Sequence, residues 1–378
     1  MKNIANIYII LSFFMYISFC SIMYMIVKNR INLRFNKKLE KIRPAFKAEV
    51  LKQLNYVKSN EAISKMDIAY IREKLNKKSY NRVFNDTLEE FNKDKENRKY
   101  TKIYMENFED IIIKSIKKYK RKDKTLKAYL AKLLGEYRIS NYEISEFLLS
   151  CLNTKSMYLR VLSLESIAKI GNIKTFGSAI EYISKEGKYT NNKVFTDILN
   201  QFGDEKFSLD KYLISKFETF NEDVQRVIVD HFKNNKTEFA KYKLLNYLDK
   251  DISKEVNISI IRYFSSIKYE KAKDKIIELL NSKDWEYRAV CATALKNYKC
   301  EESKNALVKS IKDKDWYVRY NSAMTILRFA DYNLIYDLLL ESDEYVKDIL
   351  FYAMFVNNKI SYDEYLRRSG KAEVQYQC

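Results

Sequence analysis

One proline, six glycines and one histidine are all that 378 residues hold of these three types. So little glycine and proline leaves turn-rich all-β folds poorly supplied, and neither a Walker loop nor a G-x-G-x-x-G run occurs. The lone histidine, His231, lies in Val-Ile-Val-Asp-His-Phe, beside an apolar stripe, with no partner at a recognisable spacing. It reads as an exposed or core-edge helix residue, because metal cages and acid–base dyads need further groups. A nucleophile elbow and a cysteine-protease signature are both missing. Five cysteines, Cys20, Cys151, Cys291, Cys300 and Cys378, stand far apart without a C-x-x-C. That is neither a disulfide framework nor a zinc site, and it fits a reducing compartment. The expectation is a non-enzymatic chain: catalytic, cofactor-binding and metal-ligating residues none, cofactors none, and no evident small-molecule substrate.

What is present is apolar and basic. Hydrophobic residues make up 47% and aromatics 14%, enough for a sizeable, mostly helical core. Lys and Arg exceed Asp and Glu by 69 to 50, a formal +19. Residues 1–130 carry 30 of those cations and 14 of the anions, a net +16, which leaves +3 for residues 131–378. A fold that wraps nucleic acid needs its positive charge along the whole groove, so this distribution disfavours that partner. The run Lys114–Lys127 reads as the solvated end of one helix and its loop.

Ile4 to Val27 contains no charged residue. At 1.5 Å per residue its 24 positions extend about 36 Å, enough to cross a hydrocarbon core of about 30 Å with some tilt. A cleavable signal would have a shorter apolar region ending in small residues, and Phe19 before Cys20 argues against a lipoprotein signal. Lys28, Arg30, Arg34, Lys37, Lys38, Lys41 and Arg43 follow the run, opposed by Glu40 alone. This asymmetry puts the amino terminus outside and the rest in the cytoplasm of a single-pass cell-membrane protein. The same seven residues are candidate contacts to anionic lipid, each worth about 1 kcal/mol near the leaflet.

Asp284-Trp285-Glu286-Tyr287-Arg288 is echoed by Asp315-Trp316-Tyr317-Val318-Arg319 31 residues later. Taking the arginine as anchor, the register extends to Lys127, Arg160, Asn192, Gln225, Asn257, Arg288, Arg319 and Lys347. The seventh residue after each anchor is apolar throughout, and the fourth in all but Thr196. These two positions share one helix face. A second stripe follows as Ile180 with Ile183, Leu245 with Leu248, Ile277 with Leu280 and Val308 with Ile311. Each unit is therefore two short amphipathic helices that bury their apolar faces only by stacking on neighbours. Gly171 and Gly203 fall where the first helix should end. Trp285 and Trp316, at equivalent positions, are expected to pack between repeats, and Asp284 with Arg288 and Asp315 with Arg319 to bond repeat to repeat.

Paired helices of about 31 residues with this Asp, Trp and Arg pattern resemble HEAT repeats of the short bacterial, PBS-lyase type. The resemblance implies an all-α, armadillo-like, right-handed α-solenoid of helical hairpins preceded by one transmembrane helix. The expected organisation is a membrane helix over 1–27, a basic neck over 28–43, a helical cap or degenerate repeats over 44–119 with a helix beginning at Pro44, repeats over 120–357, and a cap or tail over 358–378. It further implies a scaffold for a membrane-associated protein partner, for instance as accessory subunit of an envelope glycosyltransferase. The alternative is a nucleic-acid-binding or DNA-glycosylase-type protein, and a third class is bilin-lyase chemistry. One histidine followed by phenylalanine excludes the iron-dependent hydroxylase branch.

Overall fold

A computed structural model describes residues 2–187, 191–203, 205–250, 253–340 and 343–369, with side chains from residue 11 onward. The expected tail beyond residue 369, Cys378 included, lies outside the described residues. Among the described residues there are 21 α-helices and no strand. They fall into two compact units, Met1–Thr175 and Phe176–Cys378. The first holds α1 (Lys2–Lys58), α2 (Lys65–Leu75), α3 (Lys78–Phe91), α4 (Arg98–Glu106), α5 (Glu109–Tyr119), α6 (Lys124–Tyr137), α7 (Tyr142–Leu152) and α8 (Met157–Ile170). The boundary crosses α9 (Ile173–Glu186). The second continues with α10 (Asn192–Asn200), α11 (Lys206–Ser215), α12 (Glu222–Asn235), α13 (Lys241–Leu248), α14 (Lys254–Ile267), α15 (Lys273–Leu279), α16 (Trp285–Ala294), α17 (Glu301–Ser310), α18 (Trp316–Phe329), α19 (Tyr332–Leu340), α20 (Glu344–Val356) and α21 (Tyr362–Arg368).

No helix begins at Pro44. Instead α1 is continuous for 57 residues with the proline inside it. An interior proline costs about 3 kcal/mol through one lost hydrogen bond and a ring clash. Burial of Leu39, Phe46, Val50 and Leu54 against the unit core offsets that cost. The apolar segment, the basic neck and the first packed helix are thus one rod. Along it, Arg43 pairs with Asp86 at 3.0 Å and Lys47 with Glu90 at 2.7 Å. Lys78 Nζ lies 5.7 Å from the Phe35 ring. Each pair is 43 residues apart, so α3 runs parallel to α1. Between α3 and α6, Lys132 meets Glu89 at 3.0 Å, Asn92 donates to the Glu136 carbonyl at 2.9 Å and the Tyr137 hydroxyl meets Asn85 at 2.8 Å. Beyond it, Arg138 donates to the Lys169 carbonyl and Lys169 to Glu136, both on the face between α6 and α8. Gly135 permits this approach: a Cβ there would stand 2.9 Å from the Ser166 Cα. Hence α3 runs with α1, and α8 runs with α6.

In the second unit, α10, α12, α14, α16, α18 and α20 carry the anchors, and the odd-numbered helices return. The +4 and +7 stripe is buried from Leu164 and Ile167 through Ala323 and Ile326, and half-buried at Phe351 and Met354. On α9, Ile180 and Ile183 are both buried as expected, whereas three later return helices differ from expectation by one residue. Leu244 with Leu248, Ile276 with Leu280 and Leu307 with Ile311 face the core, while Leu245, Ile277 and Val308 are half-buried flankers. Spacings of three and four both fit one face, and the tighter burial selects the four-residue row.

Two end signals recur. Four residues before their anchors, Asp123, Ser156, Asn221, Asp315 and Asp343 accept hydrogen bonds from the first-turn amides of their helices. Eleven residues after the anchors, Arg138, Gly171, Lys236, Lys268, Ala330 and Asn358 all have positive φ. Gly171 ends its helix as expected; near Gly203 the helix stops earlier, at Asn200, with a right-handed cap at Gln201. An L residue with a Cβ pays about 1 kcal/mol for the left-handed conformation. Ala330→Gly, at φ 51° and ψ 38°, should therefore stabilise the second unit by about 0.5–1 kcal/mol in denaturant unfolding.

Candidate interaction surfaces

His231 is buried, not exposed, and it is not alone. Its Nε2 lies 2.8 Å from Asp210 Oδ1, and Asp210 Oδ2 accepts the Thr237 hydroxyl at 3.0 Å. On the other side Nδ1 faces Asn200 Oδ1 at 3.2 Å and Asn235 Nδ2 at 3.1 Å. Helices α11 and α12 bring these groups together across 21 residues of sequence, so no short spacing could announce them. The order is Thr–Asp–His: the hydroxyl is tied to the carboxylate and not to the imidazole. Such an arrangement holds a carboxylate, whereas activating a nucleophile requires the hydroxyl on the ring nitrogen. A cavity of about 380 Å³ adjoins the network, lined also by Phe207 and Phe239, whose rings meet edge to face at 5.3 Å. Among the described residues, no group of three or more His, Cys, Asp or Glu is placed to hold a metal ion. Burial pushes the Cys291 thiol up, and desolvation does the same for Cys151, so both stay protonated.

The anchor arginines have one shared task. Arg160, Arg288 and Arg319 each donate Nη1 to the carbonyl six residues earlier, at 2.7, 2.9 and 2.8 Å. They fasten the turn that leads into their own helix. Among the described residues, Arg288 alone of the three forms an ion pair with the next repeat, where Nε and Nη2 grip Asp313 at 2.7 and 2.9 Å. The expected Asp284–Arg288 and Asp315–Arg319 repeat-to-repeat bonds are accordingly replaced: Asp315 caps Tyr317 N at 2.9 Å, and Asp284 occupies the cap position without a side-chain bond.

Trp285 and Trp316 do contact neighbouring helices, but at 39% and 42% exposure they are half open to solvent. Trp285 stacks on Tyr317 at 5.3 Å, and Trp316 on Tyr320 at 5.0 Å with planes 6° apart. Tyr352 adds an edge contact to Trp316, and Arg319 lies over Tyr345 at 5.6 Å. These rings line the amino-terminal edge of α16, α18 and α20. Tyr317 and Tyr345 remain 55% and 73% exposed, so the edge is a broad aromatic face. By contrast Tyr263 and Tyr298 are structural: each hydroxyl donates at 2.7 Å to a carbonyl of an adjacent helical turn, Thr237 and Phe264 respectively, and burial raises both pKa values.

In the first unit, Lys28, Arg30, Arg34, Lys37, Lys38, Lys41 and Arg43 are all exposed on α1. Arg43 is held by Asp86, and Lys28 lies over Tyr24 at 5.7 Å. The remainder point outward from the rod. The segment Leu11–Lys58 contains a window of mean hydropathy 1.6, long and apolar enough to cross a membrane and entirely unburied.

Repeated hairpins, capped at the −4 position and sealed by an arginine on the preceding turn, culminate in the two units opening at Asp284 and Asp315. Residues 274–353 match the HEAT-repeat family. With the hairpin geometry around them, the fold is an all-α HEAT-like solenoid bearing a long apolar amino-terminal helix. Among solved structures the chain is similar to an engineered protein, at 18% identity over 70% of this chain and 82% of that one, with a TM-score of 0.32. It is also similar to the YibA protein of Escherichia coli, at 15% identity over 65% and 95%, with a TM-score of 0.36. The complex of CpcE and CpcF of phycocyanin lyase from Nostoc sp. matches at 15% identity over 69% and 92%, with a TM-score of 0.28. No curated protein sequence matches the chain.

Proposed function

We propose that this HEAT-repeat protein is a non-enzymatic, membrane-anchored adaptor. In this reading α1 crosses the cell membrane, its basic neck meets anionic headgroups on the cytoplasmic side, and the repeats present a surface to a membrane-associated protein. The observation that carries the reading is the aromatic face of α16, α18 and α20, where Trp285, Trp316, Tyr317 and Tyr345 are left partly or largely open. Tryptophan, tyrosine and arginine dominate the energetics of protein interfaces, because they bury large area at small entropic cost. An accessory role beside an integral membrane enzyme, such as an envelope glycosyltransferase, follows from tethering: confinement to the bilayer raises the effective concentration for such a partner. The nucleic-acid alternative finds little support in a repeat region with a net charge of only +3 over residues 131–378.

The test is photo-cross-linking in intact membranes from Tyr317 and Tyr345, with Lys271 on a return segment as control site. Capture of one dominant integral membrane protein from the two tyrosines, and its loss in a Trp285→Ala/Trp316→Ala variant, is the expected result. Nucleic acid in the cross-linked material, or equal capture from Lys271, would sink the adaptor reading.

A further inference from the structure

The run Lys114–Lys127 is not merely a solvated loop, because the fold carries it back to the neck. α3 begins at Lys78, whose ammonium sits over Phe35 on α1. Phe35 is eight residues past Val27, about 12 Å further along a helix. Asn76 and Lys78 at the start of α3 line one cavity with Lys118 and Tyr119 at the end of α5, so the turn before α3 and the turn after α5 lie side by side. The α2–α3 and α5–α6 turns therefore share the edge from which α1 departs toward its apolar segment. A headgroup layer of about 6 Å and a Debye length of about 8 Å together cover that 12 Å gap. Lysine side chains on this edge reach an anionic leaflet without any bending of the rod.

Between these turns lies a cavity of about 650 Å³ within the first unit, enclosed by α2, α3, α4, α5 and α6. Phe84, Phe108, Ile112 and Leu130 form its buried floor. Lys78, Lys114 and Lys118 stand at its walls, and the last two, one helical turn apart on α5, have no acidic partner among the described residues. The acids present are already engaged: Asp110 pairs with Arg72 at 3.1 Å and Glu73 with Lys74 at 3.2 Å. An apolar floor below unneutralised ammonium groups suits an amphiphile with a negative head.

We propose that this cavity binds the phosphate-bearing headgroup of one anionic lipid, with Lys114 and Lys118 as its charge partners, fixing the first unit against the bilayer. The proposal rests on α1 as a membrane span. Full-length protein in mild detergent is offered phosphatidylglycerol or phosphatidylcholine, and retained lipid is counted by native mass spectrometry. Wild-type chain should keep one phosphatidylglycerol in preference to phosphatidylcholine. Lys114→Glu/Lys118→Glu should retain at least tenfold less, and so should Ser115→Trp, which fills the cavity and leaves every charge in place. Lys271→Glu/Lys309→Glu should behave as wild type, and matching thermal melts establish that all variants are folded. Equal retention of both lipids, or retention unmoved by both cavity variants, overturns the proposal. Displacement by millimolar inorganic phosphate assigns the site to free phosphate and overturns it also. Alkaline extraction separates the two levels: a chain that stays in the membrane yet keeps no lipid defeats this proposal alone, whereas a chain released by it defeats the anchor as well.

Discussion

Replacing His231 by alanine should destabilise the Phe176–Cys378 unit by about 2–4 kcal/mol, the combined effect of buried groups left without their hydrogen-bond partner and of the cavity where the ring was. The imidazole is 1% exposed and Asp210 7%. Its loss leaves the carboxylate with the Thr237 hydroxyl as its one remaining side-chain partner among those described, and it opens a cavity that neighbouring helices fill only in part. Both tryptophans of the chain lie in this unit, so their fluorescence during urea unfolding isolates its transition. Asp210→Asn provides the contrast. It keeps a hydrogen-bonding group beside the ring without the charge, and should cost nearer about 1 kcal/mol. A His231→Ala cost below about 1 kcal/mol would show that water takes the place of the imidazole and that the network is not a strut.

This network was hidden in the sequence for a physical reason. Its members lie on separate helices, so contact depends on the stacking of hairpins and not on local periodicity. What could be read was whatever a single helix encodes: the +4 and +7 stripe, from Ala131 and Leu134 to Ala323 and Ile326, is buried as its spacing requires. The helix starts were legible only where the capping residue happened to be aspartate before tryptophan. Ser156 and Asn221 cap in the same way as Asp315, because any short oxygen-bearing side chain satisfies the free amides. The left-handed helix ends were legible only at Gly171; Lys236, Lys268 and Ala330 accept the same conformation and conceal it. Between α1 and α3 the offset is 43 residues, and two helices, α4 and α5, separate α3 from α6, so a search at 31–33 residues ended near Lys127. The neck residues were visible as a charge run, but the approach of Lys78 to Phe35 was not, because it is set by the parallel packing of α1 and α3.

Arg288→Ala should cost about 3–5 kcal/mol in the same fluorescence assay, since the largely buried Asp313 would lose its counter-charge and keep the Asp315 amide, while two turn carbonyls lose their donor. Arg288→Met/Asp313→Leu removes both charges and should recover much of that loss, because well-packed apolar pairs often match a buried ion pair. The effect depends on pH in a definite sense. Burial pushes the Asp313 carboxyl up, but the Arg288 guanidinium outweighs it and holds the group below the ordinary carboxylate range. A carboxyl depressed on folding contributes stability that is complete above its unfolded value, near about 3.9, and is lost as pH falls through the lower folded value. Wild type should therefore shed this contribution below about pH 4, and the double variant should lack that part of the acid sensitivity. Arg319 supplies the internal control, for it seals its turn through the Asp313 and Lys314 carbonyls and forms no ion pair among the described residues. Arg319→Ala should cost only about 1–3 kcal/mol, without a pH-dependent part. Equal costs at the two positions would locate the value of the arginine in the carbonyl contacts it always makes, and would leave the bond to the next repeat as an addition peculiar to Arg288.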